Sequence, residues 1–145
     1  MVGGSSIVRL TSTDTYPVGY ARVQMTALLI EDNLVIAKIT SRSLQVMNFS
    51  RVDVAYDGDE ALRYLSQHVY DLIVVDWMLP NSSGLDIVRT IKASTEHAST
   101  PIIMTTGKND HSDIVVALQS GVDAYLVKPV SPAVLMERVA KLLSL

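Results

Sequence analysis

The sequence predicts a doubly wound α/β sandwich on a five-stranded parallel sheet, and three observations carry that prediction. After Met25, short β-rich apolar runs alternate with longer segments of helical period, five times over. Runs such as LIVV (72–75) and PIIM (101–104) lack apolar/polar alternation, as expected of strands covered by helices on both faces. The five units are also too unlike one another in sequence to stack as a solenoid.

The elements follow in order. TALLIE (26–31) reads as a buried strand, and LVIAKITSRSLQVMN (34–48) as a helix with Val35, Ile36, Ile39 and Leu44 near one face. RVDVA (51–55) is a second strand, and GDEALRYLSQH (58–68) a helix that turns Ala61, Leu62 and Leu65 inward. DLIVVD (71–76) is the most hydrophobic strand, followed by the helix GLDIVRTIKAS (84–94) with Leu85, Val88 and Ile91 at i, i+3 and i+6. PIIMTT (101–106) and DAYLVK (123–128) are the last strands. The helix between them, DIVVALQSG (113–121), stops where Gly121 supplies a left-handed cap. In the final helix Ser131 caps, Pro132 takes the first position, and Leu135, Met136, Val139, Leu142 and Leu143 form the apolar stripe.

With 145 residues, 48% hydrophobic and 19% charged, the chain fits one domain with a real core. Residues 1–24 are rich in Gly, Ser and Thr, show no sustained period and lack the apolar core of a secretory signal. They are expected to be a leader outside the fold, flexible or a non-native extension, with the domain spanning 25–145. A net charge of −3 and the absence of a basic stripe interleaved with aromatics argue against direct nucleic-acid binding. No apolar run reaches membrane-spanning length. The chain has no cysteine, which excludes thiol chemistry, and His68, His97 and His111 stand at no metal-ligand spacing and read as surface or helix-end residues.

In an open α/β sheet the ligand crevice lies beyond the carboxyl ends of the strands. Those ends carry Glu31-Asp32, Asp76, Thr105-Thr106 and Lys128-Pro129. Each has a plainer explanation taken singly: acids cap helices or form turns, and a lysine reaches water on its long stem. Converging on one edge, three carboxylates, a hydroxyl and a lysine need a neutralising partner. Mg²⁺ suits such oxygen ligands, and Mg²⁺ with a lysine can cancel charge on a transferring phosphoryl group. Asp76 is the candidate nucleophile, since a carboxylate needs no base to activate it.

LLIEDN, VVDWMLPNSSGLD, PIIMTTG and GVDAYLVKP, in this order and spacing over residues 26–145, resemble the receiver domain of two-component response regulators, the CheY-like group. The resemblance implies a flavodoxin-like (βα)5 sheet of strand order 2-1-3-4-5. It implies that Asp76 accepts a phosphoryl group from a histidine kinase or histidine phosphotransfer domain. Mg²⁺ would be held by Asp32, Asp76 and the backbone carbonyl of Met78, with Glu31 acting through water. Lys128 and Thr106 would contact phosphoryl oxygens, a cis peptide before Pro129 would aim Lys128 inward, and Tyr125 would be the switch aromatic coupled to Thr106. Phosphorylation would then repack the face made by the fourth helix, fifth strand and fifth helix, to control binding of a downstream effector whose identity the sequence does not encode. A cytoplasmic location and a homodimer on activation are compatible with this reading.

Several features depart from the commonest pattern or extend it. Glu31-Asp32 stands where Asp-Asp also occurs, lengthening one arm without removing its charge. Gly107 follows Thr106 where family members often carry Ala. Met78 offers no side-chain amide or acid to position water, which predicts slow self-dephosphorylation. Gly84 permits a tight loop near the site, and Trp77 reads as a packing or loop-surface aromatic. Ile114, Val115 and Val116 cannot all face inward at a period of 3.6, which hints at a contact surface on the fourth helix. The chain ends at Leu145, so a regulator acting by itself and a piece of a longer protein are both open.

Three rivals share parts of this pattern. An aspartyl-phosphate hydrolase of the haloacid-dehalogenase type needs a second acid two positions after the nucleophile, where Met78 stands. A nucleotide-binding module needs a glycine-rich phosphate loop, and neither such motif occurs. A pseudo-receiver would normally lack Asp76, Asp32 or Lys128.

Overall fold

The computed structural model describes residues 24–145, so the expected leader lies outside the described residues except for Gln24. Strands β1 (Met25–Ile30), β2 (Phe49–Ala55), β3 (Leu72–Asp76), β4 (Ile102–Thr106) and β5 (Ala124–Val127) form one parallel sheet in the order β2-β1-β3-β4-β5. This is the predicted doubly wound order, with its reversal between β1 and β3.

Alternation along the strands splits the core in two. Ile73 and Val75 of β3 face one side and pack under α2 (Gly58–Gln67), α3 (Gly84–Ala93) and α4 (His111–Gln119). Leu72 and Val74 face the other, under α1 (Leu34–Val46) and α5 (Pro132–Leu143). Every residue of β3 and of β4 is buried, which explains their unbroken apolar runs.

Two acids that open predicted strands fasten the far edge of the sheet. Asp71 accepts from the Thr26 N–H at 2.8 Å and returns its own N–H to the Thr26 carbonyl at 2.9 Å. Asp123 makes the same reciprocal pair with Ile102, at 2.8 Å in each direction. These clasps hold the register that aligns the opposite ends of β1, β3, β4 and β5, where Ile30 lies beside Val75, Asp76 beside Thr105, and Thr106 beside Val127.

The helix caps agree with the sequence pattern. Ser131 accepts from the Val134 N–H with Pro132 at the first position of α5. Gly121 sits at φ 108° just past α4, a left-handed conformation that costs glycine least.

Three expectations are corrected. In α1 the inward face is Ala37, Ser43 and Leu44, whereas Val35 and Ile39 are exposed and Ile36 half-buried. In α2, Leu62 is exposed and Tyr64 packs against the core beside Ala61 and Leu65. His97 is buried, its Nε2 2.8 Å from the Leu65 carbonyl, one of the last-turn carbonyls of α2 that lack an intrahelical partner. The tight loop expected after Asp76 takes the form of a two-residue antiparallel ladder, Met78–Leu79 against Ser82–Ser83, turned through Asn81 at φ 59°.

Candidate functional site

The acids at the strand ends are not consumed by capping the helices that follow them. Asn33 caps α1, its Oδ1 accepting from the N–H groups of Val35 and Ile36 at 3.0 Å each. Ser83 caps α3, accepting from the Leu85 N–H at 3.2 Å. Neither helix therefore draws on Glu31, Asp32 or Asp76 for its cap.

Glu31, from the end of β1, is only 2% exposed, and Asp76 is buried at the end of β3, while Asp32 is open to solvent. One carboxylate oxygen of each lies within 4.8 Å of those of the other two. Lys128, following β5, bridges the two buried acids, with Nζ 2.8 Å from Asp76 Oδ2 and 2.9 Å from Glu31 Oε1. The remaining oxygens accept from the backbone: Asp76 Oδ1 from the Met78 N–H and Glu31 Oε2 from the Asn33 N–H, each at 3.2 Å. The Lys128-Pro129 peptide is cis.

Burial pushes the Glu31 carboxyl above its ordinary pKa, reinforced by the negative charge of Asp76 and opposed by hydrogen bonds from Lys128 and the Asn33 N–H. Burial disfavours the Lys128 ammonium, but its hydrogen bonds to Asp76 and Glu31 outweigh that and hold its pKa above the ordinary lysine value. Counted as formal charges, three carboxylates against one ammonium give the cluster −2. This donor set of hard oxygens fits a divalent cation such as Mg²⁺.

The raised Glu31 pKa has a measurable consequence. An acid raised on folding contributes stability that is present below its unfolded pKa and lost as pH rises through the folded value. Without Mg²⁺, Glu31→Gln is therefore expected to melt higher than wild type at neutral pH. The difference should shrink as pH falls toward the ordinary glutamate value of 4.5. Thermal melts in chelator across that range check it, and a gap that widens on acidification would contradict the assignment.

Thr106 and Tyr125 belong to the other face of the sheet. Thr106 is fully buried and its Oγ1 accepts from the Lys108 N–H at 3.0 Å. The Tyr125 hydroxyl donates to the Lys108 carbonyl. Trp77 packs edge-on to Tyr125, with centroids 6.4 Å apart, and Lys108 Nζ lies 5.1 Å from the Trp77 ring centroid. Trp77 is thus a packing residue, as expected, but its partner is the candidate switch aromatic. Lys108 was not singled out in the sequence, where nothing distinguishes it from any other polar loop residue. The Met78 side chain is exposed beside the site.

Gly84 proves tighter than a permissive loop residue. Its N–H donates to the Trp77 carbonyl at 2.7 Å, and a Cβ there would lie 2.0 Å from the Asp76 carbonyl oxygen. At Gly107 a Cβ would meet nothing within 4 Å.

A sheet of this order with acids and a lysine gathered at its switch point defines a receiver-type domain. The response regulator receiver domain family matches residues 27–140, and the chain belongs to that family. Response regulator ArlR of Staphylococcus aureus (strain USA300) is 40% identical over 116 residues, which are 80% of this chain and 51% of the relative. The chain thus spans about half the length of the curated relatives it matches. Chemotaxis response regulator CheY4 of Vibrio cholerae superposes with a TM-score of 0.78 at 26% identity, covering 83% of this chain and 99% of that one. The receiver domain of sensor histidine kinase PA1611 from Pseudomonas aeruginosa, with a magnesium ion coordinated in its active-site cleft, gives 0.76 at 30% identity, covering 85% and 100%.

Proposed function

We propose that this domain is a working phosphoacceptor, in which Asp76 takes a phosphoryl group from the phosphohistidine of a histidine kinase or histidine phosphotransfer domain. The observation that carries the reading is the Lys128 bridge between buried Glu31 and Asp76 at the end of the central strand. An Asp76 oxygen attacks phosphorus, a P–O bond forms as the P–N bond breaks, and the imidazole nitrogen leaves with the electron pair and takes up a proton. Asp32, Asp76 and the Met78 carbonyl would hold Mg²⁺, with Glu31 acting through water; the ion supplies positive charge against the phosphoryl oxygens. Lys128 exchanges its contact with Asp76 for a phosphoryl oxygen, and the Thr106 hydroxyl donates to another.

The output follows from bonds already present. When the Thr106 hydroxyl turns to the phosphoryl group, it releases the Lys108 N–H, and the Lys108 carbonyl is the acceptor for Tyr125. Movement of Lys108, which carries both bonds through its two flanking peptide units, would therefore link the phosphoryl site to Tyr125 and to the α4-β5-α5 face, a two-state element biased by a local charge. The exposed α1 side chains Leu34 (67%) and Val35 (68%), adjoining Asp32, offer an apolar surface for the histidine-bearing partner.

The test is incubation with Mg²⁺ and acetyl phosphate, or with beryllofluoride. One phosphoryl or one analogue per chain is expected, and none for Asp76→Asn. Repeated release of phosphate over many turnovers would instead mark a hydrolase and overturn the reading. Because Met78 presents no group to orient water, Met78→Asn is expected to speed loss of the phosphoryl about tenfold, ~1.4 kcal/mol of barrier. A decay assay after donor removal measures it, and an unchanged or slower rate would contradict it.

A further inference from the structure

On the α1/α5 side of the sheet a cleft of about 430 Å³ runs beneath the acidic site. Its walls are apolar, formed by Leu29 and Val74 of the sheet, Ile36 of α1 and Leu135 of α5, and its polar end is lined by Glu31, Thr105 and Lys128. The volume falls within the ~300–1,000 Å³ range of small-molecule sites, which combine such walls with a few convergent polar groups.

We propose that this cleft binds a small amphiphilic amine, its apolar body between α1 and α5 and its ammonium group at Glu31. Charge selects the cation. Among the described residues the only cation lining the cleft, Lys128, is already engaged by Asp76 and Glu31, and the adjoining cluster carries a formal charge of −2. An incoming carboxylate would meet uncompensated negative charge, and a neutral head would leave that charge unmatched. Glu31, almost wholly buried where it lines the cleft, keeps unused acceptor capacity: its two oxygens accept two hydrogen bonds, from Lys128 and the Asn33 N–H, whereas a carboxylate offers about four acceptor positions. A second ammonium there would draw on the same carboxylate that Lys128 uses, which couples the cleft to the site above it.

The test is an amide chemical-shift titration of the full chain with phenethylamine, 2-phenylethanol and 3-phenylpropionate, three probes of similar apolar body and different charge. Phenethylamine is expected to shift Ile36, Val74 and Leu135 and to bind about tenfold more tightly than the alcohol, with the carboxylate weakest. Mg²⁺, by neutralising the acids, should weaken the amine and leave the alcohol unchanged. Thr40→Leu, which places a larger side chain at the α1 wall of the cleft, should remove binding. Equal binding of amine and alcohol, a preference for the carboxylate, or shifts confined to other surfaces would overturn the proposal, whether or not that variant folds. The readout involves no phosphoryl transfer, so its failure is distinct from failure of the Asp76 reading.

Discussion

Gly84→Ala is expected to lower stability by about 3 kcal/mol, the upper end of the usual cost of overpacking, and to slow phosphorylation of Asp76 roughly a hundredfold. The added methyl would lie 2.0 Å from the Asp76 carbonyl oxygen, 2.9 Å from its carbon and 3.0 Å from the Trp77 Cα. All three atoms are backbone, so no side-chain rotation relieves the overlap. Either α3 retreats from β3 or the Asp76-Trp77 peptide is displaced, and with Asp76 as the proposed phosphoacceptor a displacement of about 1 Å is enough for a loss of that size. Gly107→Ala is the matched control, because nothing lies within 4 Å of the position and the change reduces the freedom of the unfolded chain. Denaturant melts and beryllofluoride titration of both variants check the contrast. Equal behaviour would show that the approach of α3 to Asp76 is not tight.

Lys128→Met is expected to cost about 3 kcal/mol in Mg²⁺-free buffer, because breaking a buried ion pair from one side leaves uncompensated charge. Here two buried carboxylates lose the cation that bridges them at 2.8 and 2.9 Å. Added Mg²⁺ should recover much of the loss by supplying positive charge to the same oxygens, so the variant's melting temperature should rise more with Mg²⁺ than wild type's. Under the proposed function phosphorylation should remain slow in Mg²⁺, since the ammonium proposed to meet a phosphoryl oxygen is gone. An equal Mg²⁺ effect on both proteins would count against the shared cluster.

Much of this was legible in the sequence because it is carried by local periodicity. Unalternating runs such as LIVV announce strands buried on two faces, and Ser131-Pro132 announces the start of α5. Helix faces were less legible. A periodic reading of α1 grouped Val35 and Ile39 with Leu44 on one face by hydrophobicity, but the smaller Ala37 and Ser43 are buried with Leu44, and Val35 and Ile39 stay outside. His97 was misread for the same kind of reason, since the α2 carbonyl that it meets is 32 residues away.

The sequence by itself determined the five βα units and the placing of acids, hydroxyls and a lysine at strand ends, since both depend on residues close together along the chain. Tertiary structure decided what those residues meet. Lys128 reaches Glu31 across 97 residues and Asp76 across 52, and only the folded sheet brings the three together. It also decided that Asn33 and Ser83 take over helix capping, that Glu31 is buried, and that α3 presses a glycine against the backbone of Asp76. Periodicity reports which side of an element is apolar, while distance, desolvation and steric limits arise when separate elements pack.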